Sequence, residues 1–353
     1  MLDVFPSHVF SGVFPTPHCQ GIALDKKNKR LYFSFTTTLV KTDLEGNLIG
    51  SVTGLTGHLG CIAFREEDGR VYGSLEYKND DIGRGIYNHL GLSGEISSAF
   101  YAAVFDVRKI DRAGMDAEKD GVMRAAFLSE VTGDYLGKGE KGKPHKYGCS
   151  GIDGTTFGPA FGKRDGKEYL KVAYGVYRDD ERDDNDHQVI LSYDPDEILE
   201  TARPLSQGDM HTAGPEKPAG KFFLYTGNTE WGVQNLEYDR YTGDWLLAVY
   251  PGFKRKYPNC PLYIADGLVP PRRGPLRGLR EEGWQLTLKE GPVRGPEGIS
   301  GFPFPYGSTG LCSFGDGRYY VSHEGANAEG EYTDVYLYRF APDAACPPFE
   351  RSE

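Results

Sequence analysis

No run of eighteen apolar residues occurs in the 353-residue chain, so no membrane-spanning helix is expected. The first residues, MLDVFPSHVFSGVF, lack a basic n-region and a continuous apolar h-region, so no signal peptide is expected. The six cysteines include no C-x-x-C pair. Four of them, Cys19, Cys61, Cys149 and Cys312, fall inside apolar segments and read as small buried residues of a protein kept reduced, which points to the cytoplasm. Positive charge is in deficit, with a formal net charge of -11, and no Lys/Arg stripe interleaves with aromatics. Nucleic acid and anionic membranes are therefore not expected partners. G-x-S-x-G, the P-loop and H-E-x-x-H are absent as well, and neither a nucleotide nor a flavin cofactor is expected.

Glycine is abundant, at 47 residues, and so is tyrosine, at 23. Both suit many short strands joined by tight turns. Residues 18–53 read as four strands: CQGIAL, RLYFSFT, TLVKTDL and LIGSVTGL, punctuated by KKNK and EGN. The cycle restarts at GHLGCIAF, and a four-stranded unit of about 40 residues is the period of a propeller blade. The phrase of first strand, turn and second strand occurs five times, beginning QGIALD, GCIAFR, SGIDGT, QNLEYD and TGLCSF. Third and fourth strands follow: FYAAVFDV and MRAAFLSEV in blade 2, QVILSYD and KFFLYTG in blade 3, PLYIADG and WQLTLKE in blade 4. Blade 5 has VYLYRF and then runs out of chain. Residues 8–14, HVFSGVF, are the candidate for its missing outer strand, closing the ring and leaving no open edge.

The expected fold is all-β, a five-bladed β-propeller forming one domain over 1–353. Its blades span 18–56, 57–146, 147–230, 231–305, and 306–341 with 8–14. Six blades, with a degenerate copy within 78–146, is the alternative.

The GIALD phrase at 21–25 and the DLEGN turn at 43–47 resemble the blades of NHL and gluconolactonase-type propellers, over residues 18–77. That resemblance implies a propeller and transfers no activity. The five-blade count is also similar to several glycoside hydrolase families, whose catalytic motifs are not found here.

In a propeller, the start of each blade's first strand and the end of its second lie on one face. Aligning the blades on Ile22, Ile62, Ile152, Leu236 and Leu311 collects distant residues there. Two positions upstream sit Gln20, Gly60, Ser150, Gln234 and Thr309. Four upstream sit His18 and His58, with glycines in the other blades. Five upstream sit Pro17, Gly57, Tyr147, Trp231 and Tyr306. The ends of the second strands bring Thr36, Glu76 with Tyr77, Tyr174, Tyr250, and His323 with Glu324.

These rows define a candidate site. His18, His58 and His323 form a candidate set for one divalent metal, Mn, Fe or Zn. Gln20, Tyr77, Tyr147, Trp231, Gln234 and Tyr306 would contact substrate, since amphipathic rings and amides at a pocket mouth suit sugars. Glu76 and Glu324 are acid/base candidates. Asp153 and Glu237 stand where other blades have Ala23, Ala63 and Cys312. Buried carboxylates in adjacent blades can act as an acid/base pair. Strand alternation puts both on the side away from Gln20. The expected activity is metal-assisted hydrolysis or elimination on a carbohydrate or sugar-acid, with a small molecule or oligosaccharide as ligand. A metal-free glycoside hydrolase using paired carboxylates and a non-catalytic binding or scaffold propeller are the alternatives. The acidic run 178–187 lacks the glycine and terminal glutamate of an EF-hand loop and reads as a solvated loop.

Overall fold

A computed structural model describes residues 5–341 and 348–352. Blade 1 runs Cys19–Asp25, Arg30–Phe35, Thr38–Asp43 and Leu48–Thr53 from channel to rim, each strand antiparallel to the next. Its turns follow from side-chain chemistry. Asp25 accepts the Asn28 amide at 2.9 Å, and Asp43 accepts the backbone N–H groups of Glu45 and Asn47 at 3.0 and 2.8 Å. Gly46 adopts φ +83, where a Cβ would lie 2.5 Å from the Phe10 carbonyl oxygen, so that turn demands glycine.

Blade 2 comprises His58–Arg65, Arg70–Tyr77, Ala99–Phe105 and Met123–Phe127. Blade 3 comprises Cys149–Gly158, Tyr169–Val176, His187–Tyr193 and Gly220–Tyr225. Blade 4 comprises Glu230–Asp239, Asp244–Tyr250 and Leu262–Ala265. Its expected fourth strand, WQLTLKE, is redistributed. Glu282–Gln285 pairs in parallel with the outer strand of blade 3, and only a bridge from Leu288 to Ala265 reaches blade 4. Blade 5 comprises Leu311–Ser313, Arg318–Asn327 and Gly330–Phe340; His8–Phe10 adds antiparallel to the last of these, and so, contrary to the expectation that the chain runs out, does Phe349–Arg351 further along it. The N-terminal strand therefore closes the ring. The segment 78–146 forms no sixth blade. It supplies the helix Asp81–His89, two strands of blade 2, and Met115–Asp116 on the rim of blade 1.

Five apolar clusters sit between the blades, one at each junction among the described residues. Large rings dominate them. Tyr32 packs between blades 1 and 2, Tyr174 between 2 and 3, Trp245 between 3 and 4, Tyr319 between 4 and 5, and Phe33 between 5 and 1, all fully buried. Each such ring contributes about 1.5–3 kcal/mol of burial, which outweighs the weak intrinsic preferences of short strands. The channel is plugged midway. Asn235 donates to the carbonyls of Gln20 and Ser308 at 2.9 and 2.8 Å, and the Cys61 thiol lies 3.2 Å from its Oδ1. The two ends of the channel are thus separate environments. The five described cysteines are all free thiols.

Candidate functional site

One channel end opens into a cavity of about 500 Å³. Its floor comes from the starts of the inner strands, with Gln20, His58, Ser150 and Gln234. The ends of the second strands add Thr36, Glu76 and Tyr250. Three of the five residues two positions upstream of the aligned apolar residue, Gln20, Ser150 and Gln234, therefore point into it, as strand alternation requires. The helix Asp81–His89 forms a wall with Asp81, Ile82, Gly85 and Ile86. The sequence predicts no element for this segment, because its two glycines obscure the helical pattern. The helix signal was the Asp80 N-cap, which accepts the Gly83 amide at 2.9 Å, followed by apolar residues four apart.

A buried charge cluster lies at the base. Lys78 Nζ is 2.6 Å from Glu76 Oε1 and donates to the Ser150 carbonyl at 2.7 Å. Glu76 Oε2 accepts the Ile152 amide at 2.8 Å. His58 Nδ1 stands 3.4 Å from Glu76 Oε1 and 3.7 Å from Asp153 Oδ1. Asp153 Oδ2 accepts the Gln234 amide at 3.2 Å, while Asp153 Oδ1 and His58 Nδ1 have no hydrogen-bond partner. Glycines make the room. A Cβ on Gly60 would lie 2.4 Å from Asp153 Oδ1, and one on Gly151 would lie 1.8 Å from Glu76 Oε2.

The electrostatics follow from this packing. Burial favours neutral Glu76, but the Lys78 ammonium and His58 outweigh it and hold the carboxyl below its usual range. Burial dominates at Asp153 and pushes it up to about 7. Burial pulls His58 down, yet the carboxylates of Glu76 and Asp153 outweigh it and raise it. His58 and Asp153 thus titrate as an interacting pair. Burial, then the nearby His58, lowers His18 to about 4, and its Nε2 lies 3.0 Å from the Gln20 amide nitrogen.

The expected three-histidine set does not assemble. His323 stacks on Tyr306 at 3.8 Å between ring centres and bonds the Tyr338 hydroxyl at 3.0 Å, away from the cavity lining. His58 Nδ1 faces two carboxylates, and a Gln20 amide occupies His18 Nε2. Among the described residues no group of three or more His, Cys, Asp or Glu is arranged to hold a metal. The donor set does not fit the expected Mn, Fe or Zn.

The expected Asp153–Glu237 pair also separates. The inner strand of blade 3 carries a register shift between Ile152 and Thr155, just past the aligned apolar residue. This bulge turns Asp153 into the His58 cavity, against the expectation from simple alternation. Blade 4 stays regular from Asn235 to Asp239, so Glu237 faces the opposite channel end. There it accepts the Ser313 amide at 2.9 Å and the Thr156 hydroxyl at 3.2 Å, and burial pushes it up to about 8.

The aromatic row divides in the same way. Tyr147 and Trp231 share a left-handed backbone, φ +58 and +62, each followed by a left-handed glycine. Trp231 lines the cavity. Tyr147 is buried against Phe223, with the Lys146 and Lys221 ammonium groups over its ring. Tyr306 is 43% exposed beside His323. Tyr77 is buried under the helix and donates to Gln207 Oε1 at 2.8 Å. Glu324 is exposed within the strand Arg318–Asn327, which continues three residues past it, and does not line the cavity. The acidic run is not a solvated loop throughout. Asp184 pairs with Arg182 at 2.7 Å, Asp186 pairs with Lys254 at 2.5 Å, and all four are buried.

Besides the helix residues Asp81, Ile82, Gly85 and Ile86, Lys78 and Glu230 line the cavity without having been expected there. Lys78 follows directly on the Glu76–Tyr77 pair, and its position two residues past a carboxylate on a strand was the available signal.

No family model matches the chain, and no curated protein sequence does either. Three solved structures are similar in outline. The pyranose dehydrogenase PQQ domain from Coprinopsis cinerea is 13% identical, at a TM-score of 0.41, over 90% of this chain and 81% of that one. The soluble aldose sugar dehydrogenase from Escherichia coli is 10% identical, at 0.38, over 91% and 96%. A GH43 β-1,3-galactosidase, solved with galactodeoxynojirimycin, is 12% identical, at 0.45, over 96% and 97%. Similarity this low carries no argument about activity.

Proposed function

We propose that the cavity is the active site of a metal-independent carbohydrate-cleaving enzyme, with Asp153 as the proton donor. The observation that supports this most directly is the buried Asp153 carboxyl. It keeps one oxygen without a partner, lines the cavity, and retains a proton to about pH 7. A carboxylic acid that stays neutral near the working pH is suited to protonate a departing oxygen. His58 Nδ1, 3.7 Å from Asp153 Oδ1, is placed to restore that proton. Glu76 does not meet the substrate directly in this reading. It is held by Lys78 and the Ile152 amide and faces His58 Nδ1 at 3.4 Å. Trp231 offers a ring face, Gln20 and Gln234 offer amides, and the cavity lies within the about 300–1,000 Å³ usual for small-ligand sites.

The test is turnover on a panel of nitrophenyl glycosides and short oligosaccharides. The wild type should cleave at least one. Asp153→Asn should lose about 10²–10⁴-fold in kcat while keeping the far-ultraviolet circular dichroism of the wild type. Unchanged turnover in Asp153→Asn, or no cleavage of any member of the panel, would sink the proposal.

A further inference from the structure

The charge of the preferred sugar is written into the cavity wall. Among the described residues lining it, Lys78 is the sole lysine and no arginine occurs. The Lys78 ammonium is 4% exposed as a residue, paired with Glu76, bonded to the Ser150 carbonyl, and 3.7 Å from Asp80. Its charge is neutralised within the wall, and so is that of Glu76. His58 turns its Nδ1 to the Glu76 and Asp153 carboxyls, 3.4 and 3.7 Å away, so a charge on it is also met within the wall. His18 is neutral at pH 7. Two carboxylates remain: Asp81 on the helix, and Glu230 at the start of the inner strand of blade 4. A ligand carboxylate would meet these two with no available cation, whereas an ammonium or hydroxyl would find acceptors. The unpartnered Asp153 Oδ1 beneath them adds to the same preference.

We infer that this site takes uncharged or ammonium-bearing sugars and rejects uronates, with Asp81 and Glu230 as the charge-selecting residues. The inference rests on the carbohydrate reading above and narrows it, setting aside the sugar-acids that the sequence alone allowed.

The experiment is isothermal titration of the full chain with matched hexose, 2-amino-hexose and hexuronate, each in gluco, galacto and manno configuration. In at least one configuration the hexose or amino-hexose should bind roughly tenfold or more tightly than the uronate. The preference for amino-hexose over uronate should shrink as salt rises from about 0.05 to about 0.5 M. The Asp81→Asn/Glu230→Gln double variant alters exposed or half-buried positions and should narrow the same gap. Uronate binding as tightly as its neutral partner overturns this inference and leaves the carbohydrate reading standing. A gap that the double variant does not move removes the role of the two carboxylates. No binding by any probe overturns the carbohydrate reading, and this inference with it.

Discussion

Lys78 and Glu76 form the ion pair on which the other titrations depend. Separating buried partners leaves an uncompensated charge, so Lys78→Met should cost about 3–5 kcal/mol, measured by urea unfolding. The double variant Lys78→Met/Glu76→Gln should recover much of that loss, since replacing both partners removes the orphan. If the double variant is no more stable than the single one, the pair does not act as a unit. Gly151 is the second sensitive position. At φ +123, with Glu76 Oε2 where a Cβ would fall, Gly151→Ala must both strain the backbone and displace the carboxylate. We expect a loss of about 2–4 kcal/mol in the same assay. A variant as stable as the wild type would show that the carboxylate moves freely. These glycines are visible in the sequence, but their purpose is not. At Gly151 and Gly60 the chain leaves space for a carboxylate from another strand or blade, and such a contact has no local signature.

At the scale of elements, the ring closure was legible because it is a counting argument. Blade 5 had three strands and the N-terminal segment had no place. The register His8↔Tyr336, Val9↔Val335 and Phe10↔Asp334 supplies the missing strand. Val9 is buried among Phe33, Phe314 and Tyr320 in the cluster joining blades 5 and 1. Val9→Asp should cost about 3 kcal/mol or more. By hydrogen exchange, it should remove protection from Gly330–Phe340 before it affects blade 3. Uniform loss across all blades would argue against a local closing role. The outer strand of blade 4 was misread for the converse reason. WQLTLKE has a strand's composition, but an edge can pair with either neighbouring sheet, and blade 3 captured its first half. The helix Asp81–His89 was missed because propensity is a weak guide when burial of one face, through Ile86, decides the outcome.

For the whole molecule, the pH dependence separates the two channel ends. Glu237 retains its proton to about pH 8 in the folded chain and loses it at about 4.5 when unfolded. Its favourable contribution is therefore complete below pH 4.5 and is lost as pH rises to 8. Glu237→Gln cannot ionise, so it should gain stability relative to the wild type across that window, with little difference at pH 4. Thermal melts of both proteins from pH 4 to pH 9 read this directly, and parallel profiles would contradict it. Asp153 has the same sign over pH 3.8 to 7, whereas His18, lowered to about 4, gains stability as pH rises to 6.5. The contributions offset one another, so the comparison with the variant is informative and the wild-type profile alone is not.

What the sequence by itself determined was whatever repeats: the number of blades, the order of strands, the strand that closes the ring, and the row of residues two positions before each apolar anchor. Repetition is read from spacing, and spacing is local. The tertiary structure alone decided where the carboxylates point. Asp153 and Glu237 occupy the same place in the repeat, yet one bulge after Ile152 sends them to opposite ends of a plugged channel. His18 and His323 part for a related reason, since alternation along blade 5 turns His323 onto Tyr306. A side chain's direction changes with a single residue of register, and register is set by pairing with strands far away in the chain.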